Sequence, residues 1–279
     1  MKPAPFAYRR PETLEAALDA LAGEPGAKVL AGGQSLVPLL SMRLAAPATL
    51  VDVNRLPGLD TVAVTDDEVR VGALVRHADL LAHEGAREAQ PLVALALSHV
   101  AHATIRNRGT TVGSIVHADA AAEMPVVLSL LGGSVEVAST RGRRTIDAAD
   151  LYAGPLESTL AADELALSAS FPVLGADEGV GFAEIARRHG DYALVGVAGA
   201  VRMEDDEVAS ARLGYLSVND VPTVVDVTGL EGDAAAERAL EQLEPADDVH
   251  ATATYRAQLV RVLTRRVLAA ATDDARGRG

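Results

Sequence analysis

Two glycine-bearing segments hold the residues best suited to chemistry. The first, Ala31-Gly32-Gly33-Gln34-Ser35-Leu36, follows the apolar pair Val29-Leu30. The second is Arg106-Asn107-Arg108-Gly109-Thr110-Thr111-Val112-Gly113-Ser114. Each sets pliable backbone beside hydroxyl or amide side chains. Successive N–H groups in a glycine turn form a concave nest that holds a phosphate without a lysine. Two nests facing each other would suit a pyrophosphate, and so a dinucleotide. Taken alone, a Gly-Gly turn after a strand is most often only a tight turn. Neither segment is the G-x-G-x-x-G fingerprint, and no Walker phosphate loop is present. Gly179-Val180-Gly181 comes nearest to that fingerprint but puts Glu184 in its third slot.

The other reactive side chains are less well placed. Among the seven histidines, His99 and His102 lie three apart on an expected helix, but no third metal ligand accompanies them. His77-Ala78-Asp79 and His117-Ala118-Asp119 look alike, yet no spacing supplies a nucleophile. Zero cysteine excludes disulfides, thiolate nucleophiles and any iron–sulfur cluster held by this chain. Such a cluster must sit on another polypeptide. No catalytic acid, base or metal site is assigned.

The elements that must position the glycine segments can be read from periodicity. Pro11-Glu12-Thr13 opens a helix with Leu14, Ala17, Leu18 and Leu21 on one face. A strand over Lys28–Ala31 leads into the first glycine turn, Ser35 is a candidate cap for a helix over Leu36–Met42, and Leu50–Val53 is a second strand. Thr61–Val64 and Glu68–Gly72 form a hairpin, and His77–His83 and Pro91–Ala103 are helical. The stretch Arg106–Ala122 reads as a long functional loop. A helix over Glu123–Leu131 follows, then strands over Ser134–Ser139 and Glu164–Phe171. From about Pro172 the pattern changes to a meander of Phe182–Arg187, Tyr192–Met203 and Val208–Val218. Helices over Ala234–Leu243 and Thr254–Ala271 close the chain, with Thr272–Gly279 as a frayed tail. Strands followed by two helices mark a separate α+β unit.

Composition bounds the rest. A chain of 279 residues with 49% hydrophobic content supports two or three units around aliphatic cores, since only three Phe, five Tyr and no Trp are present. No apolar run approaches a membrane span, and the N-terminal residues lack a signal-peptide segment, so a cytoplasmic protein is expected. A formal charge of −14 disfavours nucleic acid. The short clusters Arg106/Arg108 and Arg141/Arg143/Arg144 suit a surface patch or an anionic cofactor equally.

The second glycine segment is followed by His117-Ala118-Asp119-Ala120-Ala121-Ala122-Glu123. With this extension, the two segments resemble those of the FAD-binding subunit of the xanthine dehydrogenase and carbon monoxide dehydrogenase family of molybdenum hydroxylases. That family carries A-G-G-[HQ]-S-L, then R-N-x-G-T-x-G-G-[NS], then H-A-D-P-A-[AS]-[DE]. Arg187-Arg188-His189-Gly190-Asp191-Tyr192-Ala193 matches a third family stretch, R-R-x-G-D-[FYW]-A. Two residues depart: Val112 stands for a glycine and Ala120 for a proline, which should loosen that turn. Glu184 stands where some relatives carry lysine.

The resemblance implies an α+β fold of the vanillyl-alcohol-oxidase (PCMH) type. Two FAD-binding subdomains, 1–55 and 56–172, would precede a C-terminal flavoprotein subdomain, 173–279. Ala31 to Ser35 and Thr110 to Ser114 (Thr110, Thr111, Val112, Gly113, Ser114) would cradle the FAD pyrophosphate. Val29, Leu30, Gly32, Gly33, Gln34 and Leu36 belong to the same wall. Glu123 would lie near the sugar chain, and Tyr192 and Leu167 near the flavin ring. The implied partners are a molybdopterin large subunit and a [2Fe-2S] small subunit, with NAD, a quinone or oxygen as acceptor. A free-standing FAD oxidase or dehydrogenase acting on a small organic molecule is the alternative, and a nucleotide-binding scaffold without turnover is a third reading.

Overall fold

The computed structural model describes residues 2–278. The chain begins with β1 (Ala7–Arg9), α1 (Leu14–Gly23), β2 (Ala27–Leu30), α2 (Leu36–Met42) and β3 (Thr49–Asp52). The strands form a parallel sheet in the order β1-β3-β2, with Val29 opposite Val51. Thr13 caps α1 by accepting the Ala16 N–H at 3.2 Å, and Ala17, Leu18 and Leu21 face the sheet side of a small core with Val51 and Val53.

A second group follows: β4 (Val62–Val64), β5 (Glu68–Gly72), α3 (His77–Ala82), α4 (Glu84–Ala89), α5 (Pro91–His99), α6 (Ala103–Arg106), α7 (Thr111–His117) and α8 (Glu123–Leu131). It continues through β6 (Ser134–Ser139), β7 (Gly142–Asp147), β8 (Tyr152–Gly154), β9 (Glu157–Ser158) and β10 (Leu165–Pro172). Five of these strands make an antiparallel sheet in the order β4-β5-β10-β6-β7. The third group is β11 (Glu178–Ala186), β12 (Ala193–Glu204), β13 (Glu207–Leu216), β14 (Thr223–Asp226), α9 (Gly232–Leu240) and α10 (Ala253–Arg278). Its strands form an antiparallel meander in sequence order, and α10 packs across β11 and β12.

α8 is the hinge of the architecture. All of its residues from Glu123 to Leu128 are buried, and it touches β10 of the second sheet and β12, β13 and β14 of the third. Val126 reaches Gly214 so closely that a Cβ there would lie 2.7 Å from its Cγ2. The main core accordingly runs from Val69 and Phe171 through Met124 and Leu128 to Ala198 and Leu216. The N-terminal end of α8 is thereby fixed between two sheets.

Four sequence expectations are corrected. The helix starting at Pro91 ends at His99, because Ala101 turns left-handed at φ 44° before α6. The expected loop Arg106–Ala122 contains α7, whose Thr, Val and Gly have weak helix propensity and which is instead held by burial of Val112 and Ile115. The meander has a fourth strand, β14. The expected frayed tail is helical through Arg278, since Ala275 packs against Gly179.

Candidate functional site

β2 delivers the first glycine segment to the carboxyl edge of the parallel sheet, where open α/β sheets bind ligands. Gly33 takes φ +73°, open to glycine and strained for other residues. The backbone N–H groups from Gly32 to Leu36 find no acceptor among the described residues. Gln34 donates through Nε2 to the Gly32 carbonyl at 3.1 Å and so closes the turn on itself. Ser35 is in the αR region and its hydroxyl caps nothing, contrary to the expected cap.

The second segment lies directly against the first. A Cβ on Gly32 would stand 2.8 Å from Gly109 Cα and 3.0 Å from the Thr110 nitrogen, and would collide with the Arg108 carbonyl. Thr110 precedes α7, and the N–H groups of Thr110, Val112 and Gly113 also have no acceptor among the described residues. Val112 sends its side chain into the main core, so the valine at a glycine position leaves its backbone free.

Three residues outside the two glycine segments join them. Asn54 donates through Nδ2 to the Ala31 carbonyl at 2.9 Å and accepts from Arg76 Nη2 at 2.7 Å. Arg76 Nη1 donates in turn to the Arg108 carbonyl at 2.7 Å. His77 donates its backbone N–H to the Gly109 carbonyl at 3.0 Å, and its Nδ1 lies 3.1 Å from Thr111 Oγ1. Burial, reinforced by the Arg106 charge, pushes its imidazole down to about 4, so it is neutral near pH 7. These partners are distant backbone carbonyls and a threonine hydroxyl, which no local pattern reveals.

Both segments open onto a cleft of about 2020 Å³. Of the expected site residues, Val29, Ala31, Gly32, Gly33, Gln34, Ser35, Leu36, Thr110, Val112, Gly113, Ser114, Glu123 and Tyr192 line it. Leu30, Thr111 and Leu167 do not, and Leu167 packs in the small core with Leu165 and Ala138. Tyr192 is 67% exposed, an unusual position for an aromatic in a chain this poor in them. The turn from Ala118 to Ala122 forms the wall before Glu123. Asp119 accepts the Ala121 N–H at 2.9 Å, and Ser217 donates its backbone N–H to the Ala120 carbonyl at 2.9 Å. The absent proline therefore leaves no loose turn. Glu123 is 8% exposed, and desolvation, then the Glu184 charge, push its carboxyl up to about 8.

His99 and His102 do not converge on a metal. His99 Nδ1 lies 3.4 Å from Glu184 Oε1, whereas His102 packs against Gly190. No group of three or more potential ligands gathers anywhere among the described residues. No described helix is long and apolar enough to cross a membrane.

Residues 4–174 match the family described as the FAD binding domain in molybdopterin dehydrogenase, and residues 181–271 match the CO dehydrogenase flavoprotein C-terminal domain. The chain belongs to the FAD-binding subunits of the molybdenum hydroxylase family. It is 40% identical to the nicotine 6-hydroxylase medium subunit of Paenarthrobacter nicotinovorans, over 96% of this chain and 98% of that protein. Identity is also 40% to the 6-hydroxypseudooxynicotine dehydrogenase complex subunit alpha of the same organism, over 99% and 97%. Quinoline 2-oxidoreductase from Pseudomonas putida 86 contains a chain that superposes with TM-score 0.92 at 35% identity, covering 100% of this chain and 99% of that one. The fold is the PCMH-type FAD fold, and the protein is an FAD-dependent oxidoreductase that forms one part of a multi-subunit enzyme.

The residues present fit FAD on physical grounds. The cofactor's pyrophosphate needs several convergent donors and close backbone approach. The two turns supply N–H groups from Gly32 to Leu36 and at Thr110, Val112 and Gly113 that have no partner among the described residues. No lysine or arginine is needed for that role. The cleft also exceeds the roughly 300–1,000 Å³ of ordinary small-ligand pockets, as an extended dinucleotide requires.

Proposed function

We propose that this chain relays electrons within a molybdenum hydroxylase, from an iron–sulfur subunit to an external acceptor such as NAD, a quinone or oxygen. Bound FAD supplies the chemistry, because a flavin takes electrons singly and releases them as a pair. The chain's own residues bind and orient it. Ala31 to Leu36 and Thr110 to Ser114 hold the pyrophosphate, Glu123 lies beside the sugar chain, and Tyr192 borders the ring at the cleft mouth. Leu167, packed in the small core with Leu165 and Ala138, has no part in this arrangement. The division into units at about residues 55 and 172 belongs to the same proposal.

The observation that carries the reading is the abutment of two glycine turns whose N–H groups point to no protein acceptor. Full-length similarity to subunits of assembled enzymes supports it, as does the absence of cysteine, which places any iron–sulfur cluster on a partner. Val37, Met42 and Leu44 stand 48%, 50% and 72% exposed on α2 and the turn after it. Such an apolar group beside the cleft suits burial by a partner subunit.

Purification together with the proteins encoded beside it tests this. The complex should contain molybdenum, iron and one FAD that acid precipitation releases into the supernatant. The isolated chain should be reduced by dithionite but not by an organic substrate. Rapid reduction of the lone flavoprotein by a small organic molecule would instead establish the free-standing enzyme.

A further inference from the structure

We propose that Leu156, at the tip of the β8–β9 hairpin, packs its side chain against the flavin ring of the bound cofactor, in the place that the sequence resemblance gives to Leu167. The inference rests on the FAD reading above and deepens it by naming an apolar ring contact. Among the described residues, Leu156 and Tyr192 are the exposed large hydrophobic side chains that line the cleft, and Leu156 is 54% exposed. A single exposed leucine on an outer surface needs no explanation, but one inside a ligand cleft does. Packing within the protein does not supply it, since Leu156 belongs to none of the three hydrophobic cores.

The backbone at Leu156 is held at a cost. Pro155 and Leu156 are the two residues between β8 and β9, where Gly154 pairs with Glu157. Proline suits the first central place of such a turn. The second is left-handed here, with Leu156 at φ +56°, where a type II turn calls for glycine or asparagine. A leucine kept there is strained, and strain of this kind collects at ligand sites. The hairpin is aimed by its hydrogen bonds. Leu156 donates its N–H to the Ala118 carbonyl at 3.0 Å, and Thr159 donates its N–H to the Leu151 carbonyl at 2.9 Å and its hydroxyl to the Asp150 carbonyl at 2.8 Å.

α7 measures how far that tip stands from the proposed phosphate position. The helix begins in the second glycine segment, and its 7 residues span about 10 Å. Val112, Gly113, Ser114, Val116 and His117 all line the cleft, so α7 runs along its wall. Ala118, which holds Leu156, ends it. In FAD the ribityl chain that carries the flavin is longer than the ribose that carries adenine. An apolar side chain this far along the wall suits the flavin.

The test is the affinity of the full chain, freed of flavin, for FAD and for ADP, which carries adenine and pyrophosphate but no flavin. Thermal unfolding of the same flavin-free samples is measured beside it. Leu156→Gly and Leu156→Asn both accept the left-handed backbone. Each should weaken FAD about tenfold, leave ADP binding unchanged and melt no lower than wild type. The absorption band of flavin bound to these variants should lose vibronic structure as the apolar neighbour is removed. Leu156→Met, which restores apolar bulk, should bind FAD and shape its spectrum as wild type does. Equal losses of FAD and ADP affinity would put Leu156 at the adenine end and overturn the inference. Unchanged FAD affinity in both variants, or lower melting of both, would make it a residue of the turn alone and overturn it too. Wild-type protein that binds neither ligand would overturn the FAD reading beneath it.

Discussion

Glycine does two different jobs at the two ends of this molecule. In the first turn, Gly32 and Gly33 sit at the mouth of a cleft, with backbone donors on one side unclaimed by the protein. In β11, Gly179 and Gly181 are covered completely by α10. A Cβ on Gly179 would lie 2.7 Å from Ala275 Cα and collide with the Ala271 carbonyl, and one on Gly181 would lie 2.9 Å from the Val267 carbonyl. Gly32 lets the second glycine segment approach and Gly33 supplies a left-handed turn beside the cleft, whereas Gly179 and Gly181 let a helix approach a sheet. Glycine spacing brings Gly179-Val180-Gly181 nearest to a nucleotide fingerprint, Glu184 in the third slot already rules it out, and the packing of α10 on both glycines gives their actual role. The lesson is that a glycine motif identifies close approach, while the element packed against it decides what approaches.

Substituting one glycine from each pair separates these jobs. Gly179→Val should have the largest effect, since backbone of α10 must move and neither element can yield cheaply. A loss of about 3 kcal/mol or more is expected, with flavin lost because the fold is lost. Gly33→Val should leave most of the fold and abolish FAD retention. A branched residue at φ +73° is strained, and its Cβ would press on Leu30 and Val37 at 3.2 Å beside the proposed phosphate position. Thermal unfolding and flavin occupancy measured on the same samples distinguish the two. Gly33→Val protein with full flavin would break the comparison by making both glycines structural. Gly132→Ala is the control: φ is +66° but no atom lies within 4 Å, so a modest stability loss and normal flavin are expected.

What the sequence reveals follows the same division. The glycine segments stand out because the residue types carry the message and their neighbours are adjacent in the chain. Most of the strands and helices around them follow the two-fold and helical periods. α7 is not legible in the sequence because Thr110, Thr111 and Gly113 argue for a loop, and only tertiary burial of Val112 and Ile115 makes it helical. The bracing roles of Asn54, Arg76 and His77 are hidden for a different reason. Each meets backbone or side chains from other segments, and no periodicity encodes a hydrogen bond to a distant carbonyl. The same holds for the pairing of His99 with Glu184 across α5 and β11.

The buried histidine sharpens the comparison through pH. His77 braces the second turn while its imidazole is held down to about 4, against 6.5 when exposed. The unfolded chain therefore takes up a proton first as pH falls. Its contribution is complete above about pH 6.5 and is lost progressively toward pH 4, up to roughly 3 kcal/mol in all. Urea denaturation of wild type and His77→Gln at pH 7 and pH 4.5 should show the variant less stable at pH 7 but losing less on acidification. Parallel losses would mean that the histidine is reachable by solvent and braces nothing.

The smallest effect should come from the clamp that ties one turn to the other. Arg76 donates to Asn54 Oδ1 and to the Arg108 carbonyl, both at 2.7 Å, and Asn54 completes the link to Ala31. Arg76→Ala breaks two charge-assisted hydrogen bonds but leaves every glycine and every free N–H in place. Hydrogen bonds of this kind contribute about 1.5–3 kcal/mol each at most, and water can replace part of that where the arginine is partly exposed. The nests should therefore survive but lose their mutual alignment, with FAD held about tenfold more weakly and released faster. Asn54→Ala should have a similar effect, and the double variant little more than either single one, because all three bonds form one chain. Additive losses would show that each turn grips its own part of the cofactor independently. The abutment of the two segments would then be a packing contact rather than one binding surface.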